Sequence, residues 1–282
     1  MENNNLISQC LNLLCCPKDK SLLDYTSKGY LKCKDCGTNY TIHASNFIEL
    51  MPRAPMLLPS CIKNDYERRY FDSYHRLFNQ KFLFNEHAIA WGAIENISPT
   101  LADKKNREIG QILIGTDVRD KIICDVSGGA GWITLQSAKE ANIFIHCDIS
   151  CDNLNYVYKR SGNKNILFIR MDFFSDPFIA DSIDIIFCTD TLIYGNFMVK
   201  RFLRNIHKCL SADGKAKVDF YNRLHRNIFH KPYMIGYSAS EVNRLLREIG
   251  ITKYDYEGFF QECEGNLKWI IPSTRHIVTF GK

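Results

Sequence analysis

Residues 121–150 read "KIICDVSGGAGWITLQSAKEANIFIHCDIS". "KIICDV" is an apolar run of strand length, and "WITLQSAKEA" follows it with a helical recurrence. Between them "SGGAG", residues 127–131, places glycines where a strand must turn into a helix. Glycines at such a turn let a ligand approach backbone that side chains would otherwise shield. "NIFIHCD" is a second apolar run, closed by Asp148. A lone carboxylate at that point can hydrogen-bond both hydroxyls of a ribose. The stretch predicts a nucleotide-like ligand lying across two strand ends.

The alternation continues downstream. "NILFIRMD" (165–172), "SIDIIFCTD" (182–190) and "KAKVDFYN" (215–222) predict three more strands. "FLRNIHKCLS" (202–211) reads as a helix ending at "ADG", and "SASEVNRLLREIG" (238–250) as one with a serine cap and a terminal glycine. "TKYDYEGFF" and "RHIVTFG" predict the closing strands. Strands alternating with helices specify an α/β fold, a doubly wound Rossmann-like sheet. A dinucleotide site shares this plan but wants G-x-G-x-x-G, a triple that does not occur here. Instead the acidic Asp125 precedes the glycines, and Asp172 follows the third strand, where it can face an adenine amino group.

With these features, residues 120–282 resemble the class I S-adenosylmethionine-dependent methyltransferases. The first motif of that family, acidic-x-Gly-x-Gly-x-Gly, stands here as Asp125-Val-Ser127-Gly-Gly129-Ala-Gly131, with Ser127 in place of the first glycine. The resemblance implies S-adenosylmethionine as cofactor, with Asp125 and Ser127 among its binding residues and Gly129 and Gly131 bordering its methionine portion. It also implies Asp148 on the ribose and Ile149 beside the adenine. Met171, Asp172 and Phe173 would frame the base, and Cys188 and Thr189 would lie beside the sulfonium.

Residues 14–36, "LCCPKDKSLLDYTSKGYLKCKDC", carry a second pattern. Two Cys-x-x-Cys knuckles at the ends of a hairpin can close a tetrahedron of soft donors around zinc. Cys33-Lys-Asp-Cys36-Gly is one such knuckle, while Cys16-Pro-Lys-Asp19 offers a carboxylate in place of the second thiol. The expected ligand set is Cys16, Asp19, Cys33 and Cys36, with Cys15 as a substitute donor and a metal-free module as the alternative. The layout resembles the small zinc-ribbon modules fused to, or partnered with, class I methyltransferases, including large-subunit rRNA guanine methyltransferases. "NFIELMP" (46–52) stands where that group has a similar stretch.

Three regions follow: a small β zinc-ribbon-like module over 1–52, a linker and helical lid over 53–119, and the cofactor domain over 120–282. Prolines punctuate "MPRAPMLLPS" as a linker. "NDYERRYFDSYHRLFNQKFLF", from Asn64 to about Phe84, repeats aromatics at helical spacing and predicts a helix packed on the core or closing over a substrate pocket.

Methyl transfer from a sulfonium is an in-line displacement, so the protein mainly aligns the acceptor, excludes water and removes a proton where needed. "CTDTLIYGN", after the fourth strand, has neither an Asn-Pro-Pro-Tyr type motif nor a catalytic Pro-Cys. Its layout resembles the broad group acting on small molecules, in which a histidine often takes the place of Tyr194. Tyr194, read either as orienting or deprotonating an acceptor or as a packing residue, and His75 on the lid are the catalytic candidates; His75, His207, His225 and His230 carry no motif of their own. A small-molecule acceptor is the first expectation. Methylation of rRNA or tRNA is the second, with "RLHRNIFHK" (223–231) as the candidate basic run, and a non-catalytic adaptor is the third.

Bulk composition agrees. A net charge of +5 falls short of a dedicated nucleic-acid footprint. Twelve cysteines without a secreted framework, several inside apolar runs at Cys124, Cys147 and Cys188, suit a reducing compartment. No apolar run reaches the roughly 20 residues of a membrane span, and the start lacks a secretory pattern. The expected location is cytoplasmic. The oligomeric state is left open.

Overall fold

The computed structural model describes residues 3–43, 46–62, 65–83, 85, 88–90, 92–162, 165–192, 199–224, 235–259 and 275–282. Helix α1 (Asn3–Cys10) precedes a small antiparallel group, β1 (Leu23–Tyr25), β2 (Tyr30–Cys33), β3 (Asn39–His43) and β4 (Phe47–Leu50). Helices α2 (Asp65–Phe78) and α3 (Pro99–Leu113) lead into the alternating region. That region runs β5 (Ile122–Val126), α4 (Thr134–Ser137), β6 (Ile143–Asp148), α5 (Cys151–Ser161), β7 (Ile166–Met171) and β8 (Ile183–Cys188). It closes with α6 (Val199–Cys209), β9 (Leu210–Tyr221), α7 (Ala239–Glu248), β10 (Tyr254–Phe259) and β11 (Arg275–Gly281).

All these strands join one sheet in the order β1-β2-β3-β4-β7-β6-β5-β8-β9-β11-β10. The stretch from β4 through β9 is parallel, and β11 returns antiparallel between β9 and β10. From β5 the chain first winds one way through β6 and β7, then the other way through β8 and β9. Such a reversal opens a crevice at the carboxyl ends of the central strands.

The predicted strands form because their side chains fill two apolar layers at a period of two. Cys124, Ile145, Leu167, Ile169 and Ile186 enter one layer, beneath α6 and α7. Ile123, Phe144, Phe168, Ile185 and Phe187 enter the other, beneath α3 and α5. Helix starts follow the cap chemistry. Ser98 caps α3 ahead of Pro99, Ser150 caps α5, and Ser238 with Glu241 makes a full capping box on α7.

Three elements differ from expectation. The helix after the glycine turn shrinks to Thr134–Ser137, because Asn165 Nδ2 takes the carbonyls of Ala138 and Ala141 at 2.8 and 2.6 Å. Helix α2 stops at Phe78 rather than near Phe84, because the Arg170 guanidinium takes the carbonyls of Leu77 and Phe78. The helix expected at 202–211 spans 199–209, and "ADG" lies within β9. The 1–52 region ends in β4, which pairs in parallel register with β7, Glu49 opposite Arg170. Among the described residues no helix is long and apolar enough to cross a membrane.

Candidate cofactor and metal sites

The glycine turn sits at the carboxyl end of β5, at the mouth of the crevice. Ser127 (φ 55), Gly129 (φ 55) and Gly131 (φ 73) all adopt left-handed backbone. Ser127, the departure from the family motif, thus occupies a position that favours glycine. Gly128 is required for a different reason. A Cβ there would lie 2.5 Å from His146 Cε1 and 2.8 Å from Asp125 Oδ2. Gly129 faces open space, its nearest obstacle to a side chain being the Ser127 carbonyl at 3.9 Å. The turn therefore leaves open space beside the Gly129 backbone, room that fits a ligand lying against it.

Asp148 comes up beside the turn from the end of β6. Its Oδ2 accepts the Gly129 N–H at 2.9 Å and Asn153 Nδ2 at 3.2 Å, while Oδ1 accepts the Ser150 N–H at 2.7 Å. Burial raises its pKa, against the pull of these donors. A carboxylate has about four acceptor sites, so one remains for a ribose hydroxyl. Ile149 next to it is half-buried.

Asp125 lies deeper than the motif suggests. Its Oδ2 accepts from Thr134 Oγ1 at 2.7 Å, and Thr134 Oγ1 in turn stands 2.8 Å from His146 Nδ1. Because the hydroxyl proton goes to the carboxylate, His146 carries its proton on Nδ1. Its Nε2 has no hydrogen-bond partner. This buried set supports the glycine turn from below.

At the end of β7, Met171, Asp172 and Phe173 are all buried. Asp172 Oδ2 accepts from Tyr74 of α2, and Oδ1 accepts the Phe174 N–H at 3.0 Å. Burial raises the Asp172 pKa despite these bonds. The Phe173 ring packs on Phe202, centroids 4.7 Å apart. Helix α2 therefore docks on the carboxyl end of β7 through Tyr74. His75, on the same helix, bonds the Leu57 carbonyl through Nε2 at 3.0 Å and rests on Phe71, 4.0 Å between centroids. Tyr194 and most of 223–231 lie outside the described residues.

At the end of β8, Cys188 is fully buried, as are Cys124 and Cys147, and burial pushes the Cys188 thiol up. Thr189 is half-buried. Beyond it stands a group that no sequence motif announced. Asp190 is ion-paired with Lys105 of α3 and, at 2.7 Å, with Arg275 of β11; Tyr221 of β9 donates to it at 3.1 Å. Arg275 also pairs with Asp219 and, at 2.9 Å, with Glu108. Burial alone would raise the Asp190 pKa, but Arg275 and Lys105 outweigh it and hold the carboxyl well below the usual range. Its side chain is 35% exposed against 5% for Arg275, so Asp190 is the face of the cluster that solvent meets.

In the N-terminal module, Cys16, Asp19, Cys33 and Cys36 present donor atoms all within 4.8 Å of one another. Cys16 Sγ lies 3.7 Å from Cys36 Sγ, and Cys33 Sγ 3.4 Å from Asp19 Oδ1. Tetrahedral zinc with Zn–S near 2.3 Å sets ligand edges of about 3.6–3.8 Å, so the donors fit. Tyr40 OH reaches Cys16 at 3.0 Å, and the Cys36 N–H points at Cys33 Sγ from 3.4 Å, partners that orient thiolate ligands. Cys15 turns away, its thiol on the Asp176 carbonyl.

Comparison with known proteins agrees with this geometry. Residues 124–218 match the methyltransferase domain family. An S-adenosylmethionine-dependent methyltransferase from Mesorhizobium loti aligns with TM-score 0.51 and 16% identity, covering 61% of this chain and 95% of that one. A Listeria monocytogenes protein described as an enzyme of the same kind aligns with TM-score 0.53 and 12% identity, covering 64% and 99%. A third match, at TM-score 0.50 and 14% identity, comes from a complex between the Haloferax volcanii Trm112 methyltransferase activator and a methyltransferase, covering 64% and 91%. No curated protein matches by sequence. Residues 124–218 thus carry a methyltransferase domain, and the sheet around them has the S-adenosylmethionine-binding methyltransferase fold.

Proposed function

We propose that the chain transfers the methyl group of S-adenosylmethionine to a small organic acceptor held at the β8 end of the crevice. When bound, the cofactor supplies an activated methyl group on a positively charged sulfur. Asp148 holds the ribose, and the backbone of Gly129 and Gly131 lets the methionine portion settle against the turn. The reading rests above all on the Asp190 cluster. Lys105 and Glu108 of α3 close the acceptor side together with Arg275 and Tyr221, leaving Asp190 at the surface. A fixed carboxylate there accepts a hydrogen bond from an acceptor O–H or N–H and aims its lone pair, which suits an enclosed small molecule.

The same reading gives the Cys16, Asp19, Cys33 and Cys36 group a zinc ion that staples the N-terminal module. Support comes from donor spacing and from the size of the unit, since small β modules rarely hold by core alone.

The test uses purified protein, methyl-labelled S-adenosylmethionine, and separate RNA and metabolite fractions of the native cell. Label in the metabolite fraction, lost in Asp148→Ala, supports the proposal. Label in RNase-sensitive material overturns it.

A further inference from the structure

Arg170 interrupts an otherwise apolar β7, and its side chain is 3% exposed. A buried guanidinium is stable only if its donors are satisfied. Here Nη1 pairs with Glu49 Oε1 of β4, and Nε donates to the Ile149 carbonyl at 3.3 Å. Nη2 donates to the carbonyls of Leu77 at 2.9 Å and Phe78 at 3.2 Å. One side chain thus joins the strand of the N-terminal module, the end of α2, and the residue after the ribose-binding Asp148.

The segment beyond α2 is sewn to the same place from the other side. Gln80 donates to Asp152 Oδ2 at 3.2 Å and accepts the Cys151 N–H at 3.3 Å. Asn155 Nδ2 donates to the Leu83 carbonyl at 2.9 Å. Residues 77–83 therefore form a strap over the adenosine end, held by Arg170 on one flank and by the start of α5 on the other. Glu49 itself is fixed by His43 Nε2 at 3.1 Å, and the His43 ring stacks on Phe82 of the strap, 4.0 Å between centroids.

We infer that Arg170 is a positioning residue for the adenosine half of the cofactor, and that its bridge to Glu49 makes the N-terminal module part of the cofactor pocket. Arg170 touches no reacting atom. It sets the Ile149 carbonyl and the strap, and these shape the adenosine pocket. Glu49 sets Arg170. The fold of the module and the affinity for cofactor are then thermodynamically linked.

The test measures binding of S-adenosylhomocysteine and of 5′-methylthioadenosine, which lacks the amino-acid end, to the full-length chain by calorimetry. Glu49→Gln keeps the shape but removes the charge, and Arg170→Lys keeps the charge but cannot span its acceptors. Each should weaken both ligands by the same factor, about three- to thirty-fold, the range seen when a substitution acts through a packed network. The double variant should lose no more than the worse single one, because both cut one bridge. Unchanged affinities in a folded Glu49→Gln protein overturn the inference. So does loss confined to S-adenosylhomocysteine, or strictly additive losses in the double variant.

Discussion

The Asp148 carboxylate and the Gly129 N–H are in direct hydrogen-bond contact at 2.9 Å, joining the turn after β5 to the carboxyl end of β6. The turn and the acid are therefore one unit before any ligand arrives. Asp148→Asn preserves size but removes the charge, and its amide can turn a donor toward Gly129. Hydrogen bonds to a charged group contribute about 1.5–3 kcal/mol, so S-adenosylhomocysteine affinity should drop roughly ten- to hundred-fold. Titration calorimetry reads this directly; an unchanged affinity would remove Asp148 from the ribose site.

The glycine turn separates two physical requirements. Ser127 adopts φ 55, and left-handed backbone costs a residue with a Cβ about 1–2 kcal/mol. Ser127→Gly relieves that strain while adding about 0.5–1 kcal/mol of chain entropy. The variant should be neutral or more stable by up to ~1 kcal/mol in urea denaturation, with cofactor binding retained. Gly131 also packs against α5, where an added Cβ would sit 2.7 Å from Val157 Cγ2. Gly131→Ala should lose about 2–4 kcal/mol from overpacking and backbone strain together. Val157→Ala in that background should recover part of the loss, and a double-mutant cycle with no coupling would refute the contact.

How much of this was legible in sequence depends on the range of each signal. "SGGAG", Asp148 and the strands around them could be read because apolar runs, turn glycines and a terminal acid are local. Cys16, Asp19, Cys33 and Cys36 could be read because knuckle spacing is local too, and the four donors do converge. Gly128 was passed over because its need comes from His146 on the neighbouring strand. The Asp190 cluster draws on α3, β8, β9 and β11, so no window of sequence contains it. The β4–β7 pairing joins residues far apart in the chain. Its one trace was a charge inside each of two apolar stretches, Glu49 in "NFIELMP" and Arg170 in "NILFIRMD".

Zinc makes a separate prediction. The protein purified without chelator should carry one zinc per chain, and Cys33→Ser should carry none. Asp19→Cys replaces a carboxylate with a softer donor and should keep its metal at chelator concentrations that strip the natural sequence. Because metal binding to such a module is also folding energy, stripping should lower the melting temperature by about 4 °C or more, the shift that ~2 kcal/mol produces in a chain of this size. Absence of zinc at stoichiometric level, with the module still folded, would favour a metal-free ribbon held by Leu23, Leu31 and Tyr40, which are buried there.

The pH dependence of stability follows from His276 on β11. Its Nε2 meets the Tyr237 carbonyl at 3.0 Å, and its Nδ1 meets Tyr256 OH, so the neutral ring is satisfied on both sides. Burial lowers its pKa, and the Tyr237 carbonyl opposes this only in part. His207 is lowered for the same reason, with the Lys282 charge adding to it. With the folded value below the unfolded one, the unfolded chain binds more protons as pH falls below about 6.5. Stability contributed by the neutral rings is complete above that pH and is lost as pH drops through the folded values. One such group gives a slope of at most about 1.4 kcal/mol per pH unit. Urea midpoints measured from pH 8 down to pH 5 should therefore decline below pH 6.5, and His276→Gln should flatten the decline while lowering the midpoint at pH 8. An identical slope in the variant would assign the pH dependence to other groups.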